Sequence, residues 1–481
     1  MYDVAVIGAG VVGCAIAREL SKYDLKICLL EKEDDVSTGA SKANSGIVHG
    51  GYAAKHGTLK GELCIKGNSM YKKLNEELNF GYRKTGALVI GFNEKDEEVI
   101  KELYENGLVN GCDELEIIYK DKIREIEPYI NEEVTVALYD KSVGVASPYE
   151  MTIALAENAV TNGVELKLNS AVTAIDKKEN HFVIKTENEE VQAKYVINAA
   201  GLYSDLIANM IGIYDFKINP RRGQYVLFGK DQSYLVNTVI FQVPTEKGKG
   251  ILVTTTYHGN FMLGPNAEEL GDRDDVGTTM ESLEEVIETA RLSIKDFNVK
   301  KALTTFAGIR ASSSTGDFII EESKVKGFIN VAGIESPGLT SSPAIAEKVA
   351  GILENAGLEL VKKEGFNPYR KAVIVRKGEN FQGKIDDEDP SKNIICRCEQ
   401  VTESEILDAI HRGIPVTSID AVKRRVRAGM GTCQGNFCRP RVKALIAREM
   451  NMSLEEITQR GKQEESAPNR VSIKDIRKID K

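Results

Sequence analysis

The N-terminal segment opens with apolar and amphipathic stretches in a regular order. YDVAVIG at 2–8 predicts a buried β-strand, and GVVGCAIARELSKY predicts the helix that packs on it. KICLLEK at 26–32 predicts a second strand parallel to the first. A strand–helix–strand unit of this kind is typical of an α/β sheet.

The middle of the chain alternates between two patterns. Segments such as GALVIGF, RRGQYVLF and KGILVTTT predict an antiparallel sheet, accompanied by helices such as SLEEVIETARLSI. Segments at 165–201 and GFINVAGI at 327–334 return to buried strands, and PAIAEKVAGIL predicts another helix. We therefore predict a Rossmann-like α/β domain in separated pieces (about 1–68, 146–216 and 326–370) with an inserted α+β substrate domain (about 69–145 and 217–325).

The C-terminal part predicts a separate small helical unit. Thr402 and Glu405 fit a capping box at the start of one helix. Gly429 is placed to end the next helix, which contains VKRRVRA. The predicted order is a linker at 371–393, the compact unit at 394–460 and a polar tail at 461–481.

Size and charge narrow the function classes. With 481 residues the chain is expected to form two to three domains, and its net charge of −9 argues against general nucleic-acid binding. No apolar run approaches the ~20 residues of a membrane-spanning helix. Met1 leads directly into the first strand, so we expect no signal peptide and a cytoplasmic protein. In that reducing compartment the eight cysteines are better interpreted as thiols and metal ligands than as disulfides.

A glycine-rich turn follows the first predicted strand. Gly8, Gly10 and Gly13 form a GxGxxG motif between strand and helix, where the backbone can approach a pyrophosphate. Glu31 ends the second strand and is placed to accept hydrogen bonds from ribose hydroxyls, which disfavours NADP. The motif alone leaves FAD and NAD open.

Four cysteines cluster near the C-terminus. Cys396 and Cys398 lie in ICRCEQVT, and Cys433 and Cys438 lie in GTCQGNFC. Thiolates are soft ligands for iron–sulfur clusters or zinc, and the C-x-C spacing is less usual for zinc. The spacing thus favours an iron–sulfur cluster, with zinc or unligated thiols as alternatives.

Three segments resemble the flavin-binding segments of the D-amino-acid-oxidase-like flavoprotein superfamily: STGASKANSGIVHGG at 37–51, VINAAGLYSD at 196–205 and GIESPGLTSSPAIA at 333–346. The resemblance extends over about residues 1–370 and implies non-covalently bound FAD. It implies these cofactor-binding residues: Gly8, Gly10, Gly13, Glu31, Lys32, Ser41, Ser45, Gly46, Val172, Gly201, Gly308, Gly338, Leu339 and Thr340.

The cysteine unit resembles the bacterioferritin-associated-ferredoxin-like (BFD-like) domain, and CQGNFCRPRV is similar to its form in flavin dehydrogenase subunits. The resemblance implies a [2Fe–2S] cluster on Cys396, Cys398, Cys433 and Cys438. It also implies a partner that accepts the electrons, either a flavoprotein or an iron–sulfur subunit.

Arginines and histidines supply the candidate substrate chemistry. Arg310, in FAGIRASSS, matches an A-G-x-R segment whose arginine holds the substrate's anionic group in the resembling proteins. His49 and His258 are candidates for the base that accepts the substrate proton, or alternatively flavin or core contacts. Arg221 and Arg222 are expected to border the pocket or to form a solvated turn.

The domain order resembles the anaerobic glycerol-3-phosphate dehydrogenase family, whereas NSGIVHGGYAAKHGTLKGELCIKGN resembles L-2-hydroxyglutarate dehydrogenases equally well. Typical glycerol-3-phosphate enzymes carry an Arg-Tyr pair shortly after His-Gly-Gly, and the arginine contacts phosphate. This chain has Gly51-Tyr52-Ala53-Ala54 there. Lys55, Lys60 or Arg221 is the expected replacement for that arginine.

The resulting hypothesis is an FAD-dependent dehydrogenase for a small anionic hydroxylated substrate. It oxidises sn-glycerol 3-phosphate to dihydroxyacetone phosphate by hydride transfer to the flavin, and electrons leave through the [2Fe–2S] cluster. The alternatives are an L-2-hydroxy-acid or amino-acid dehydrogenase, a non-catalytic electron-transfer subunit, and an oxygen-using oxidase.

Overall fold

A computed structural model describes residues 1–244, 250–375, 377–463 and 467–479. Its strands are β1 Tyr2–Ile7, β2 Ile27–Leu30, β3 Ile47–Val48, β4 Tyr82–Lys84, β5 Ala87–Gly91, β6 Leu115–Tyr119, β7 Val136–Asp140, β8 Gly144–Ala146, β9 Glu165–Lys167, β10 Val172–Lys177, β11 Phe182–Thr186, β12 Glu190–Asn198, β13 Ile218–Phe228, β14 Val239–Gln242, β15 Val253–Thr255, β16 Phe261–Leu263, β17 Glu268–Glu269, β18 Ala302–Ser313, β19 Ile319–Glu322, β20 Phe328–Ala332, β21 Ile394–Cys396 and β22 Val401–Thr402. Its helices are α1 Val11–Leu20, α2 Leu59–Leu78, α3 Glu94–Asn110, α4 Lys120–Ile126, α5 Pro148–Thr161, α6 Ser204–Asn209, α7 Met280–Ala290, α8 Gly338–Asn355, α9 Glu403–Ile410, α10 Ile419–Val426, α11 Arg439–Met450 and α12 Ile473–Ile476.

The first sheet forms the predicted α/β layer. Its order is β10-β11-β12-β1-β2-β9, with β20 beside β12 and β19 beside β20. β1 runs parallel to both β2 and β12, and β12 runs parallel to β20. Residues Val4 to Ile7 of β1 are buried because helices cover this central strand. Helix α1 packs against α5 and α8.

The second sheet is the predicted antiparallel layer, in the order β17-β13-β16-β15-β14-β5-β7-β6, with β18 beside β13. Only the β5–β14 pair among these described strands is parallel. The predicted fold class is confirmed. Residue 68, predicted as a domain boundary, lies within α2. Strand β19, which falls in the predicted substrate domain, pairs with β20 of the first sheet.

Helices α9, α10 and α11 enclose a separate core around the cysteine loops. The Thr402–Glu405 capping box is confirmed. The end of α10 differs from the prediction, since Arg427, with a φ of 66°, is its left-handed C-cap rather than Gly429. The position suits an arginine because four surrounding groups accept its hydrogen bonds.

Two further features bear on the predicted tail and on membrane association. In the segment 467–479, Ile476 is fully buried against the core of the second sheet. Among the described residues, no helix has both the length and the apolar character that a membrane crossing requires.

Candidate functional site

The site lies in a large cleft where both sheets and the cysteine unit meet. The cleft has a volume of about 2070 Å³. Its walls include the glycine-rich turn, strands β13 and β18 of the second sheet, and part of α10. A cleft at the carboxyl ends of parallel strands is the usual ligand position in α/β folds.

The glycine-rich turn is shaped for close backbone contact. A Cβ atom on Gly13 would lie 1.9 Å from the carbonyl oxygen of Gly8, so a side chain there would separate helix from strand. Ser41 accepts a hydrogen bond from the amide of Val11 at 2.8 Å. This bond fixes the flavin-binding loop at 37–51 on the first turn of α1. The turn can therefore admit an anion beside free helical amides.

Glu31 lies beside the glycine-rich turn, at the end where the ribose of the cofactor is expected. Its carboxylate accepts the amides of Ala9 at 2.8 Å and Glu33 at 3.1 Å. Burial raises the pKa of Glu31, and these two hydrogen bonds oppose the rise. The carboxylate lines the cleft and is held in one orientation, as an acceptor for ribose hydroxyls requires.

Most of the expected cofactor residues come together in this cleft. Gly13, Gly46 and Thr340 instead support its walls: a Cβ on Gly46 would lie 2.4 Å from the Ala146 carbonyl oxygen, and Thr340 accepts the amide of His49 at 2.9 Å. The expected cofactor residues that line the cleft are Gly8, Gly10, Glu31, Lys32, Ser41, Ser45, Val172, Gly201, Gly308, Gly338 and Leu339.

Two arginines project from paired strands of the second sheet. Arg221 on β13 lies directly opposite Arg310 on β18, and both line the cleft. Four residues farther along β13, on the same face, Tyr225 stacks on Phe306 of β18 with ring centroids 4.6 Å apart. The Nε–H group of Arg221 is buried and has no hydrogen-bond partner among the described residues. This pair of cations is suited to an anionic ligand.

Other expected cations are already paired. Arg222 forms ion pairs with Glu268 at 2.9 Å and Asp275 at 2.6 Å, so it is a structural residue rather than a pocket residue. Lys60 lines the cleft but pairs with Glu335 at 2.7 Å. Lys55 is exposed at the cleft, which leaves Lys55 and Arg221 as replacements for the missing arginine.

His49 sits where the flavin-binding loop meets the start of α8. Its ring nitrogen Nε2 lies 3.4 Å from the hydroxyl of Ser336, and its ring centroid is 6.0 Å from that of Phe241 on β14. Both neighbours line the same cleft. The sequence analysis missed Ser336, although it immediately precedes the Pro-Gly turn that opens α8.

His258 lies on a different wall, in the turn between β15 and β16. Its Nε2 is 2.6 Å from the carboxylate of Glu150, which also accepts a hydrogen bond from Ser147 at 2.8 Å. The sequence analysis missed Glu150. No local signal marks it, because 108 positions separate it from His258.

The four cysteines meet as two contacting pairs. Cys396 contacts Cys438, and Cys398 contacts Cys433, so each pair combines one cysteine from each motif. The hydrogen bond from Cys438 lowers the pKa of Cys396 to about 6. Among the described residues, no group of three or more His, Cys, Asp or Glu side chains is arranged to hold a single metal ion.

The loop backbone is arranged around these sulfurs. A Cβ on Gly431 would lie 2.2 Å from the Cβ of Cys398, so glycine allows the two cysteine loops to approach. Burial raises the pKa of Cys433, but the amides of Phe437, Gly435 and Asn436, together with Cys398, lower it overall. Amide donors around a thiolate suit an electron-rich cluster.

Arg427 joins the cysteine unit to both other layers. It donates hydrogen bonds to Glu399 at 3.0 Å, to the hydroxyl of Tyr149 at 2.9 Å and to Asn260 at 3.1 Å. Glu399 directly follows Cys398, whereas Tyr149 begins α5 of the first layer. The cysteine loops are thus fixed beside the cleft.

Comparisons with known proteins identify both parts of this arrangement. Residues 3–352 match the family of FAD dependent oxidoreductases. The chain belongs to that family. Residues 394–448 match the BFD-like [2Fe-2S] binding domain. FAD and a [2Fe–2S] cluster are therefore the cofactors of this oxidoreductase, as the sequence analysis expects.

The chain is similar to several known proteins. The glycerol 3-phosphate dehydrogenase of Caloramator mitchellensis is 50% identical over 95% of this chain and 96% of its own length. The human mitochondrial L-2-hydroxyglutarate dehydrogenase is 32% identical over 55% of this chain and 61% of its own length. Dithionite-reduced L-α-glycerophosphate oxidase from Mycoplasma pneumoniae with FAD bound superposes with a TM-score of 0.73, at 32% identity, covering 77% of this chain and 98% of that one.

The residues present fit both cofactors of the oxidoreductase. The close contact at Gly13, the Ser41–Val11 hydrogen bond and the Glu31 carboxylate suit the pyrophosphate and ribose of FAD. The four cysteines and their surrounding amides suit the cluster.

Proposed function

We propose that this oxidoreductase is a dehydrogenase that oxidises sn-glycerol 3-phosphate to dihydroxyacetone phosphate. The observation that carries the proposal is the pair of opposed arginines, Arg221 and Arg310, in a cleft that also holds the FAD elements. The 50% identity to the glycerol 3-phosphate dehydrogenase of C. mitchellensis over nearly the full length of both chains supports the same substrate.

The side chains divide the work between binding and proton transfer. Arg310 and Arg221 bind the anionic end of the substrate, since guanidinium groups match phosphate oxygens in geometry and charge. A histidine accepts the proton of the hydroxyl that becomes a carbonyl. Bound FAD supplies the hydride acceptor, and the [2Fe–2S] cluster supplies a one-electron carrier.

His49 is the proposed base. It lies between the flavin-binding loop, the start of α8 and Phe241 of the second sheet, where substrate and flavin must meet. His258 lies on a different wall of the cleft, where its Nε2 contacts the carboxylate of Glu150 and Arg427 is close to Glu150. We therefore propose that His258 helps to position the cleft wall on the substrate side and is not the base.

A second candidate function is oxidation of an L-2-hydroxy acid. The observation that favours it is the small, uncharged lining at Ala53 and Ala54, where typical glycerol-3-phosphate enzymes place an arginine. A carboxylate needs fewer contacts than a phosphate, and Arg310 alone can bind it bidentately. The 32% identity to the human L-2-hydroxyglutarate dehydrogenase over 55% of this chain supports this second candidate.

Electrons are proposed to leave the cysteine unit for a separate protein. Cys398 and Phe437 are exposed on this unit, so the cluster edge can be reached from solvent. The acceptor is a flavoprotein or iron–sulfur subunit, since either can take single electrons from a [2Fe–2S] cluster.

Steady-state turnover with a soluble redox dye tests the substrate assignment. The proposal expects kcat/KM for sn-glycerol 3-phosphate to exceed that for L-2-hydroxyglutarate and for amino acids. The reverse order would establish the second candidate, and no turnover with any of them would favour a non-catalytic electron-transfer subunit.

A further inference from the structure

Beyond the cysteine core, residues 461–462 and 467–479 contact two different walls of the cofactor cleft. Their first anchor is the loop after β2, close to Glu31. Lys462 donates a hydrogen bond to the carbonyl of Lys32 at 3.0 Å. Gly461 packs so closely on Asp34 that an added Cβ would lie 1.7 Å from the carboxylate. Thr417 also donates a hydrogen bond to Asp34, at 3.2 Å. The cysteine unit and the residues that follow it therefore contact the same loop.

The second anchor is on the opposite side of the cleft, on the second sheet. The amide of Thr278 donates to the carbonyl of Asn469 at 2.9 Å, and Thr278 Oγ1 accepts the amide of Val471 at 3.0 Å. Ile476 is fully buried in the core of that sheet. Residues 461–462 are therefore held by the loop after β2, and residues 467–479 are held by the second sheet.

Cations from these outer parts line the cleft together with the flavin-binding loop. Lys423 comes from α10, Arg460 and Arg470 come from the C-terminal segment, and Lys42 directly follows Ser41. Asp420 lies among them and already accepts a hydrogen bond from Gln459 at 2.5 Å. A group of cations enclosed in this way favours an anionic ligand.

The ionisation of the two lysines agrees with this arrangement. Burial, followed by the charge of Arg424, lowers the pKa of Lys42 to about 7. Burial also lowers the pKa of Lys423; the Asp420 carboxylate opposes this shift, whereas Arg470, Arg424 and Arg439 add to it. An anion beside Lys423 would favour its ammonium form.

We propose that α10 and the C-terminal segment form the outer wall of the FAD site and hold the cofactor's pyrophosphate from the side opposite α1. The glycine-rich turn and Ser41 supply amides from one side, and Lys423 and Arg470 supply charge from the other. FAD is then retained by residues beyond 352, where the match to the FAD family ends. Since binding is reciprocal, FAD and the docking of the cysteine unit stabilise each other.

The first test measures FAD binding to the deflavinated full-length protein by quenching of flavin fluorescence. Lys423→Gln with Arg470→Gln is expected to raise the dissociation constant of FAD about tenfold or more, because each lost charge-assisted contact costs binding free energy. Lys443→Gln is the matched control, since Lys443 lies on α11 of the same unit and does not line the cleft. An unchanged FAD dissociation constant with loss of cluster absorbance would overturn the proposal, because the cations would then serve the cluster.

The second test releases the far anchor. Ile476→Ala is expected to speed FAD dissociation from the holoenzyme and to lower the melting temperature more with FAD than without it. If the melting temperature falls equally with and without FAD and the FAD dissociation rate is unchanged, the segment stabilises the fold but does not retain FAD, and the proposal is wrong.

Discussion

Arg221 and Arg310 lie directly opposite each other on β13 and β18, and both guanidinium groups line the cofactor cleft. Like charges in directly opposed positions of a sheet repel each other. Glu335 also lies near Arg310, but it is paired with Lys60 and accepts a hydrogen bond from Ser312. On the other side of β13, Glu269 of β17 lies opposite Arg221. We propose that the two guanidinium groups bind the phosphate of the substrate.

Removing either guanidinium should weaken substrate use. Arg310→Ala is expected to lower kcat/KM for sn-glycerol 3-phosphate by roughly 30- to 1000-fold, because truncating a desolvated charge pair costs ~2–4 kcal/mol. Arg310→Lys should recover part of the loss, since lysine keeps the charge but not the bidentate geometry. Arg222→Lys is the control: its side chain pairs with Glu268 and Asp275, so the KM should stay unchanged.

Substitutions of His49 and His258 should have different effects in anaerobic stopped-flow experiments. His49→Asn is expected to slow flavin reduction by about 10²- to 10⁴-fold, the usual contribution of a general base. His49→Asn should also abolish the increase in the rate of flavin reduction with pH that deprotonation of the base causes. His258→Asn should have a smaller effect that appears mainly in KM. If His258→Asn instead abolishes the pH dependence, the roles of the two histidines are reversed.

Local motifs explain why much of this site is predictable from sequence. Gly8, Gly10 and Gly13 act through backbone contacts within one strand–turn–helix unit, so spacing alone reveals them. The pairing of His258 with Glu150 spans 108 positions, and that of Arg427 with Tyr149 spans 278. Such contacts depend on how the layers pack, which no local pattern records.

A buried ion group holds the cysteine unit against the FAD layer. Asp35 accepts hydrogen bonds from Arg424 at 2.7 Å and from Arg425 at 2.8 Å. Burial alone would raise the pKa of Asp35, but Arg425 and Arg424 outweigh it and hold the pKa at about 2. Asp35→Asn is expected to cost ~3–5 kcal/mol at neutral pH, because it leaves two buried arginines without their carboxylate.

The pH dependence of that loss has a defined sign. The folded-state pKa of Asp35 lies below its unfolded value of about 3.9, so its stabilisation is complete above that pH and is lost as the pH falls toward 2. In urea unfolding followed by circular dichroism, the gap between wild type and Asp35→Asn should therefore close in acid. A gap of constant size from pH 7 to pH 2 would contradict this role. Glu97→Gln, at an exposed pair with Lys101, is the control.

Loss of the cluster should uncouple the two half-reactions. Cys433→Ser is expected to leave substrate-driven flavin bleaching intact while abolishing electron transfer to a protein acceptor. Cys28→Ala, in the buried strand β2, is the control with the cluster retained. Unchanged turnover of Cys433→Ser with the natural acceptor, accompanied by stoichiometric hydrogen peroxide, would establish an oxidase.

Arg427 should influence the rate of electron transfer from the flavin to the cluster. Arg427→Leu removes the hydrogen bonds to Glu399 and Tyr149 and should slow cluster reduction while flavin reduction by substrate stays unchanged. Arg448→Leu, at an exposed site of the same unit, should alter neither rate. Equal slowing of both steps by Arg427→Leu would point to a general loss of structure.

The sequence predicts only a polar, charged tail at 461–481. In the structure, Ile476 is buried in the second sheet and Lys462 binds the loop after β2. A single buried apolar residue in a polar segment is too weak a signal to predict docking. Tertiary packing alone places this segment on the molecule.

Anaerobic mixing of the holoenzyme with sn-glycerol 3-phosphate tests the central claim most directly, because flavin and cluster absorbance can be followed in one experiment. The account predicts rapid bleaching of the flavin, followed by reduction of the cluster. If sn-glycerol 3-phosphate leaves the flavin oxidised while dithionite reduces it fully, the proposed reaction is wrong.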